Sequence, residues 1–335
     1  WLAVQGGRPT REQRVRDQRY PACARDALVD FMQGYVLTHA DERIGGMVDP
    51  PVRATTPPAV SPTVSVVVPH YNLGAFLPAA LESLAQQTYA SLDVIVIDDG
   101  STDSASRDVF SAMRLRYPQF RFETQANQGI GATRNRGLAL ARGAFFLPFD
   151  ADNVAEPEMV AWLVRALQRQ PETAALSCYF HAFDTEANLA ARRALYAVRP
   201  TGGPFVLGAS QNIYGDACSL YRTEPLRKLG GFGVERGTSF EDWELFVRLV
   251  GAGLRVDVVP EVLFWYRHRE TGFSRVTNGF ANHQRVLRAF AQATHLPAHE
   301  REWLTQVLAG MEQQRQIRQS RSLRQRMWAW FQGRD

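Results

Sequence analysis

Apolar runs and amphipathic segments alternate regularly through the middle of this chain. The run Val64–Val68 is mostly apolar and stops at Pro69, as a buried strand would, whereas Ala75–Gln86 carries its apolar residues at helical spacing. The alternation continues with predicted strands over 92–97, 120–124 and 144–149, and with predicted helices from Asp103 and over 131–142. Strands separated by helices are joined by right-handed crossovers, so the pattern predicts an α/β fold with a doubly wound, mostly parallel sheet flanked by helices.

The second half of the chain continues this pattern less regularly. A predicted helix over 157–170 and a predicted strand over 174–180 precede a stretch without a clear period that extends to Gly215. The later predicted elements are a strand over 218–221, a short helix to 229, an amphipathic helix from Glu241, strands over 255–259 and 263–267, and helical structure from Asn278.

Breaks in the pattern indicate three parts. Residues 49–62 are rich in proline and are typical of a linker. We therefore predict an N-terminal helical segment with this linker over 1–62, an α/β domain over 63–275 and a helical C-terminal extension over 276–335. Within the α/β domain, 63–153 would form the first half and 154–275 the second.

Composition and charge exclude several classes of protein. The 335 residues include 45% hydrophobic and 21% charged residues, which is ordinary for a globular protein with a sizeable core. A net charge of +4 suits anionic substrates but is too small to indicate a nucleic acid partner. Cys23, Cys178 and Cys218 form neither a disulfide framework nor a zinc pattern. No apolar run approaches the roughly 20 residues that span a bilayer, so we expect a cytoplasmic protein without a signal peptide.

The first residue also bears on the organisation of the protein. The chain begins at Trp1 rather than at a methionine. We therefore expect it to be a piece of a longer protein, whose other domains are candidate partners.

Carboxylates follow the predicted strand that ends at Phe149. Asp150 and Asp152 are two positions apart, and alternate side chains of a strand point the same way, so both can converge on one point. Ligands of open α/β sheets bind at this carboxyl end of the strands. Two carboxylates suit a Mg²⁺ or Mn²⁺ ion that also binds substrate phosphates. The sequence therefore predicts a metal and phosphate site here.

Polar residues also follow the neighbouring predicted strands. Pro69-His-Tyr-Asn72 comes after the first strand and Asp98-Asp-Gly-Ser101 after the second. The segment Asn127–Arg134 opens a helix and offers backbone N–H groups and a guanidinium to an anion. An aromatic ring, carboxylates, an arginine and a metal together indicate a nucleotide site.

With these motifs the chain strongly resembles the family-2 glycosyltransferases, which have the GT-A fold, over roughly residues 63–275. Several separate motifs occur in the order of that family. They are Ser65–Asn72, Gln87–Tyr89, Val96–Asp103, Asn127–Gly129, Arg134-Asn135, Phe149–Asn153, Gly230–Phe232 and Glu241–Glu244.

The resemblance implies roles in binding the donor. Tyr71 and Asp99 would hold the nucleotide base, and Pro69 would shape the loop that also contains Asn72. Arg134 would contact the diphosphate. The donor would be a nucleotide-diphosphate sugar, with UDP as the commonest nucleotide of the family.

It also implies the metal ligands and the catalytic pair. Asp152 would bind the divalent metal directly, and Asp150 would contact the ribose or the metal shell. In the pair Glu241-Asp242, Asp242 would be the general base. His268 would supply a further phosphate or metal contact, although its spacing is not the commonest form.

The implied activity is an inverting, metal-dependent transfer of a sugar to a hydroxyl group. The acceptor would be a glycan or a lipid-linked acceptor in the synthesis of a bacterial-type surface polysaccharide. A catalytically silent nucleotide-sugar- or glycan-binding module of a multidomain synthase is the alternative. A sugar nucleotidyltransferase is a third hypothesis, but the residues after the first strand of this chain lack the glycine-rich phosphate loop of that class.

Several site residues also have purely structural interpretations. Asp98-Asp99-Gly100 could be a strand-ending turn, and Tyr71 could be core filler. Glu241 and Asp242 could stabilise the first turn of a helix capped by Ser239, because Asp242 follows that residue by three positions. The motif order favours the functional interpretation in each case.

The C-terminal end combines arginines with apolar residues at helical spacing. Leu323, Met327, Trp330 and Phe331 accompany arginines such as Arg324. This pattern indicates either an interfacial helix on an anionic membrane or a helix that packs on protein. The first interpretation would place the protein peripherally on the inner face of the plasma membrane.

Overall fold

The computed structural model describes residues 61–202, 205, 208, 211–270, 272 and 277–294, with single positions at 298, 301, 302, 306 and 310. The predictions for residues 1–60 and 311–335 lie outside the described residues. The helices are α1 (Leu77–Ala85), α2 (Ser104–Arg116), α3 (Ile130–Leu140), α4 (Met159–Arg169), α5 (Glu186–Ala190), α6 (Thr223–Lys228), α7 (Glu241–Gly251) and α8 (Gly279–Ala291). The strands are β1 (Val64–His70), β2 (Leu92–Asp98), β3 (Arg121–Thr124), β4 (Phe145–Pro148), β5 (Val154–Ala155), β6 (Thr173–Phe183), β7 (Tyr196–Val198), β8 (Leu220–Arg222) and β9 (Arg255–Arg267).

One sheet joins the described strands in the order β3-β2-β1-β4-β8-β6-β9-β5, with β7 paired to β6. The pairs β1–β2, β1–β4, β2–β3 and β6–β9 are parallel. Strands β5, β7 and β8 run antiparallel to their neighbours, so the remaining six strands share one direction. The predicted α/β fold with a mostly parallel sheet is therefore confirmed.

The first half of the sheet follows from strong local patterns. Every residue of β1 is buried, as expected of a central strand covered on both faces. Helix α1 buries Leu77, Leu81 and Leu84, which lie on one face at helical spacing, and so covers this part of the sheet. The carboxyl ends of β1, β2 and β4 consequently lie side by side, and the polar motifs follow directly from them.

Strand β9 differs from the two separate strands predicted over 255–259 and 263–267. It is one element from Arg255 to Arg267 whose pairing with β6 skips between Val259 and Val262. Pro260 lies in this skip and has no N–H group to donate to the sheet. The proline therefore produces an irregularity within a strand rather than the end of the strand.

Helix α8 packs on α7, which begins with the proposed catalytic pair. Asn282 of α8 accepts a hydrogen bond from the backbone N of Ser239 at 2.9 Å, and its Nδ2 donates to the Ser239 Oγ at 2.7 Å. Arg285 forms an ion pair with Glu244. These contacts fix the start of α7. No helix among the described residues is both long and apolar enough to cross a membrane.

Candidate active site

The loops after β1 and β2 are tied together by side chains. The Asn72 Oδ1 accepts hydrogen bonds from the backbone N of Thr102 (2.9 Å) and of Asp103 (3.0 Å). Beneath them the buried His70 and Asp98 are 2.9 Å apart, from Nδ1 to Oδ1, and burial lowers the pKa of His70. The predicted donor-binding residue Asn72 therefore holds two loops in place.

Asp99 holds the segment that opens α3. Its carboxylate accepts hydrogen bonds from the backbone N of Gln128 at 2.9 Å and of Gly129 at 2.8 Å. The Gln125 Nε2 donates to the same carboxylate at 2.7 Å. Asp99 therefore does more than end a strand, because it connects the β2 end to the predicted anion-binding segment.

Tyr71 lies at the surface beside these loops. Its side chain is 42% exposed, so it is not the core filler of the structural alternative. An exposed ring next to Asn72 and Asp99 is available for stacking, and contact with a nucleotide base stays a prediction for this residue.

Arg134 is the centre of the site. Its Nη1 lies 2.6 Å from the Glu241 Oε1 at the start of α7, and its Nη2 lies 2.7 Å from the Asp150 Oδ1 after β4. The residue is only 1% exposed. Burial lowers the pKa of the guanidinium, but the charges of Asp150 and Glu241 more than offset this, and the pKa is raised. Arg134 therefore connects two acidic motifs that are far apart in the sequence.

The residue after Arg134 holds the Gly230-Gly231-Phe232 motif. The Asn135 Nδ2 donates to the Phe232 carbonyl at 2.8 Å, and the Phe232 N donates to the Asn135 Oδ1 at 2.7 Å. Gly231 has a φ of 70°, and a Cβ atom there would lie 2.3 Å from the Asn135 Oδ1. Only glycine suits this position. The Phe232 ring in turn lies under the guanidinium of Arg134, 5.3 Å from ring centroid to Cζ.

Asp152 and Asp150, the predicted metal ligands, form an acidic pair whose charges interact. The Asp152 Oδ2 lies 2.7 Å from the Arg269 Nε. The pKa of Asp152 is raised, first by burial and then by the charge of Asp150, although Arg269 lowers it. The carboxylates therefore still repel each other in the presence of their arginine partners. An added cation bound by oxygen ligands would relieve this repulsion.

His268 is not brought into this pair as a third ligand. Its Nδ1 lies 2.8 Å from the hydroxyl of Tyr196. Over the part of the chain that the structure describes, no group of three or more His, Cys, Asp or Glu residues is arranged to hold a metal. A metal contact of His268 stays a prediction.

Asp242, the predicted general base, lies in the first turn of α7. It is half-buried, and its pKa is raised to about 7 by burial and by the neighbouring charge of Glu241. Among the described residues, its carboxylate accepts one hydrogen bond, from the adjacent Trp243 N at 2.8 Å. A base with a pKa close to the working pH is well matched to proton transfer.

The start of α7 differs from the structural alternative for this motif. The helix begins at Glu241, and Phe240 occupies the N-cap position without a side-chain hydrogen bond. Ser239 instead bonds to Asn282, so the structural alternative of a helix capped by Ser239 is wrong. Phe240 has a φ of 70°, a strained conformation for this residue. Such strain is found where the surrounding structure fixes a functional geometry.

Asp216 was missed by the sequence reasoning. It follows a glycine in the stretch without a clear period, so no motif distinguished it. Its Oδ1 accepts a hydrogen bond from the Cys218 N at 2.9 Å. Its pKa is raised well above the usual value, first by burial and then by the charges of Asp150 and Asp242. Asp216 therefore belongs to the same cluster of acids.

Comparison of the sequence with known proteins identifies a family. Residues 65–230 match the model of glycosyl transferase family 2. The chain is 30% identical to the glycosyltransferase GlyG of Streptococcus pneumoniae over 130 residues, which are 38% of this chain and 43% of that protein. It is 32% identical to the chondroitin synthase of Escherichia coli over 128 residues, which are 38% of this chain and 18% of the synthase. The matches thus span less than half of these relatives.

Solved structures show the same fold. A Staphylococcus aureus TarS structure (residues 1–349) in complex with UDP-GlcNAc matches with a TM-score of 0.57 at 20% identity, over 74% of this chain and 71% of that crystallised chain. The mannosyltransferase PcManGT of Pyrobaculum calidifontis, in complex with GDP-Man and Mn²⁺, matches with a TM-score of 0.53 at 19% identity, over 87% of this chain and 85% of that protein. The sheet, the order of the motifs and the family match together show that this chain belongs to glycosyltransferase family 2 and has the GT-A fold.

Proposed function

We propose that this protein transfers a sugar, with inversion, from a nucleotide-diphosphate sugar to a hydroxyl group of a glycan or lipid-linked acceptor. One observation carries the proposal: Arg134 joins Asp150, beside the predicted metal ligand Asp152, to Glu241, beside the candidate base Asp242. The groups proposed to bind phosphate and to accept the proton thus lie around one buried arginine. The match to family 2 supports sugar transfer as the reaction.

The chain's own residues divide the work of such a transfer. Asp242 would accept the proton of the acceptor hydroxyl as its oxygen attacks the anomeric carbon. Arg134 would hold Glu241, and with it the start of α7, in a fixed position relative to Asp150. A base on the side opposite the leaving nucleotide gives inversion without a covalent nucleophile. Holding both substrates in line supplies much of the remaining rate acceleration.

Mg²⁺ or Mn²⁺ is the proposed cofactor, held by Asp150 and Asp152. The cation would offset the negative charge of the departing diphosphate. UDP is the proposed nucleotide, since the TarS structure contains a UDP-sugar, although the GDP-Man complex of PcManGT makes GDP the second nucleotide to test.

A nucleotide diphosphate should stabilise the protein more strongly when Mn²⁺ is present. At about 100 times its Kd, a ligand of the folded state adds about 2.7 kcal/mol of stability, which corresponds to roughly 5 °C in melting temperature. The measurement is a thermal-shift screen of UDP, dTDP and GDP with and without Mn²⁺. In Asp152→Asn, the additional rise in melting temperature that depends on Mn²⁺ should be lost.

The control for this screen is Asp108→Asn, which makes the same chemical change on the exposed surface of α2. It should keep the full shift. Equal shifts in the two variants would contradict a metal role for Asp152, and the lack of a shift with every nucleotide would contradict the donor proposal.

The pH dependence of the reaction should report the ionisation of Asp242. Only the carboxylate accepts a proton, so kcat/KM should rise with pH and level off above the pKa of about 7. Glu241→Gln removes a neighbouring negative charge that raises this pKa, and should therefore move the inflection to lower pH. The measurement is kcat/KM between about pH 5 and pH 9. An inflection that Glu241→Gln leaves in place would argue against Asp242 as the titrating group.

The cellular location is proposed from the sequence of the C-terminal end. The basic and apolar segment 311–335 lies outside the described residues, and we propose that it attaches the protein to anionic lipid on the inner face of the membrane. The full chain should then float with liposomes that contain anionic lipid, and a chain lacking 311–335 should float several-fold less. Equal flotation would reject the attachment.

A further inference from the structure

A tyrosine of β7 presents an aromatic ring beside the acid cluster. Tyr196 is 43% exposed, which is unusual for a large side chain in a strand. Its hydroxyl lies 2.8 Å from the His268 Nδ1, and the two rings meet edge to face with centroids 5.6 Å apart. The ring is therefore held in one orientation while part of its surface stays open to solvent.

The strand register places a second tyrosine on the same face of the sheet. Ala182 of β6 pairs with Tyr196 on one side and with Tyr266 of β9 on the other. Directly opposite residues of neighbouring strands project from the same face. Ala182 is buried and has only a methyl side chain, so no large side chain of β6 separates Tyr196 from Tyr266. Phe180 lies two residues before Ala182, on the same face of β6. The centroids of the Phe180 and Tyr266 rings are 5.8 Å apart, which agrees with the placement of Tyr266 on this face.

The two tyrosines, Tyr196 and Tyr266, lie next to the proposed reaction centre. His268, which holds Tyr196, is followed by Arg269, which pairs with Asp152. The pKa of Tyr266 is raised, first by burial and then by the charges of Asp216, Asp150 and Asp152. A group lying on the two tyrosines would therefore be next to the carboxylates that the proposed transfer uses.

We propose that Tyr196, supported by His268 and flanked by Tyr266, is the platform on which the acceptor sugar ring lies. The C–H groups on one face of a pyranose are weakly positive, and the face of an aromatic ring is negative, so the two stack in water. Polar groups around the platform would then orient the hydroxyls, as in other small-molecule sites. The inference rests on the proposed function, because an acceptor site is needed only if transfer occurs.

Binding can be tested without turnover. Saturation-transfer NMR on the full chain would use a panel of methyl pyranosides, with UDP and Mn²⁺ present, as probes. We expect ring protons of at least one pyranoside to receive saturation from wild type and from Tyr196→Phe, which keeps the ring. In Tyr196→Ala the affinity for that pyranoside should be roughly five- to tenfold weaker.

The neighbouring Leu195 provides the matched control, since it is 46% exposed and leads into the same strand. Leu195→Ala should bind the pyranoside as wild type does, and circular dichroism would confirm that both alanine variants fold. Equal binding by Tyr196→Ala and wild type would overturn the platform, as would a wild type that binds no pyranoside of the panel.

Release of UDP from UDP-sugars, measured separately, distinguishes the two proposals. Pyranoside binding that depends on Tyr196, without any cleavage of a sugar nucleotide, would support Tyr196 as a sugar-binding platform but reject the proposed transfer and, with it, the acceptor role of the bound sugar. Transfer to an added pyranoside with an acceptor KM that Tyr196→Ala leaves unchanged would support the transfer and reject the platform.

Discussion

Asp242→Asn should lower kcat by about 10²- to 10⁴-fold, the range that a positioned general base contributes. The amide has almost the same shape as the carboxylate but cannot accept the acceptor's proton. Because Asp242 is half-buried and bonds only to the adjacent Trp243 N among the described residues, the substitution should leave the fold intact. The measurement is transfer of labelled sugar from the nucleotide donor identified in the thermal-shift screen.

Two further variants sharpen this test. Asp216→Asn changes the other half-buried acid of this cluster, and a larger loss there than in Asp242→Asn would move the role of base to Asp216. Asp108→Asn, on the surface of α2, should keep wild-type turnover. A wild type that binds nucleotide sugar but shows no turnover with or without acceptor would instead support the alternative of a silent binding module.

The first half of the fold was predictable because its signals are local. From β1 to β4, each predicted strand and helix is present with ends within two residues of the expected position. Strands such as β1 are buried on both faces and therefore apolar throughout, and helices such as α1 have one apolar face. The acids that follow these strands could be grouped because parallel strands end at the same edge.

The second half depends on contacts that a local pattern does not encode. The short strands β5 and β7 have two and three residues and are defined by pairing with β9 and β6. Asp216 has no motif and is recognised only by its proximity to Asp150 and Asp242. Ser239 had the sequence of a helix cap, but Asn282, more than forty residues away, binds its side chain instead. Long-range hydrogen bonds therefore decide the geometry around α7.

The role of Arg134 shows how the structure changes the interpretation of a motif. The resemblance assigns this residue to the diphosphate, whereas both its Nη groups lie against carboxylates of the protein. The position of Arg134 also explains why its motif occurs together with those of Phe232 and Glu241, since its guanidinium contacts both of these side chains. Contact with the diphosphate stays a prediction, and a structural role is added to it.

Arg134→Met should destabilise the protein by about 3–5 kcal/mol, the cost of removing one partner from a buried ion pair. Methionine fills a similar volume, so the main loss is electrostatic: Asp150 and Glu241 would be left without their cation, next to Asp152 and Asp242. The measurement is the free energy of unfolding from urea denaturation. Arg136→Met is the matched control on the same helix, since Arg136 pairs with Glu123 at 3.3 Å with side chains 41% and 37% exposed. Its loss should be at most about 1 kcal/mol.

A second substitution separates charge from packing in this prediction. Glu241→Gln removes one of the two carboxylates that Arg134 neutralises, so adding it to Arg134→Met should recover part of the lost stability. If charge compensation is the main contribution of Arg134 to stability, the double variant is more stable than Arg134→Met alone. If the double variant is less stable than wild type by the sum of the two single losses, Arg134 contributes to stability through its packing on Phe232 instead. Arg134 would then serve stability and the proposed catalysis for different reasons. Its guanidinium neutralises the buried acids, and through Glu241 it also fixes the start of α7, where the proposed base Asp242 lies.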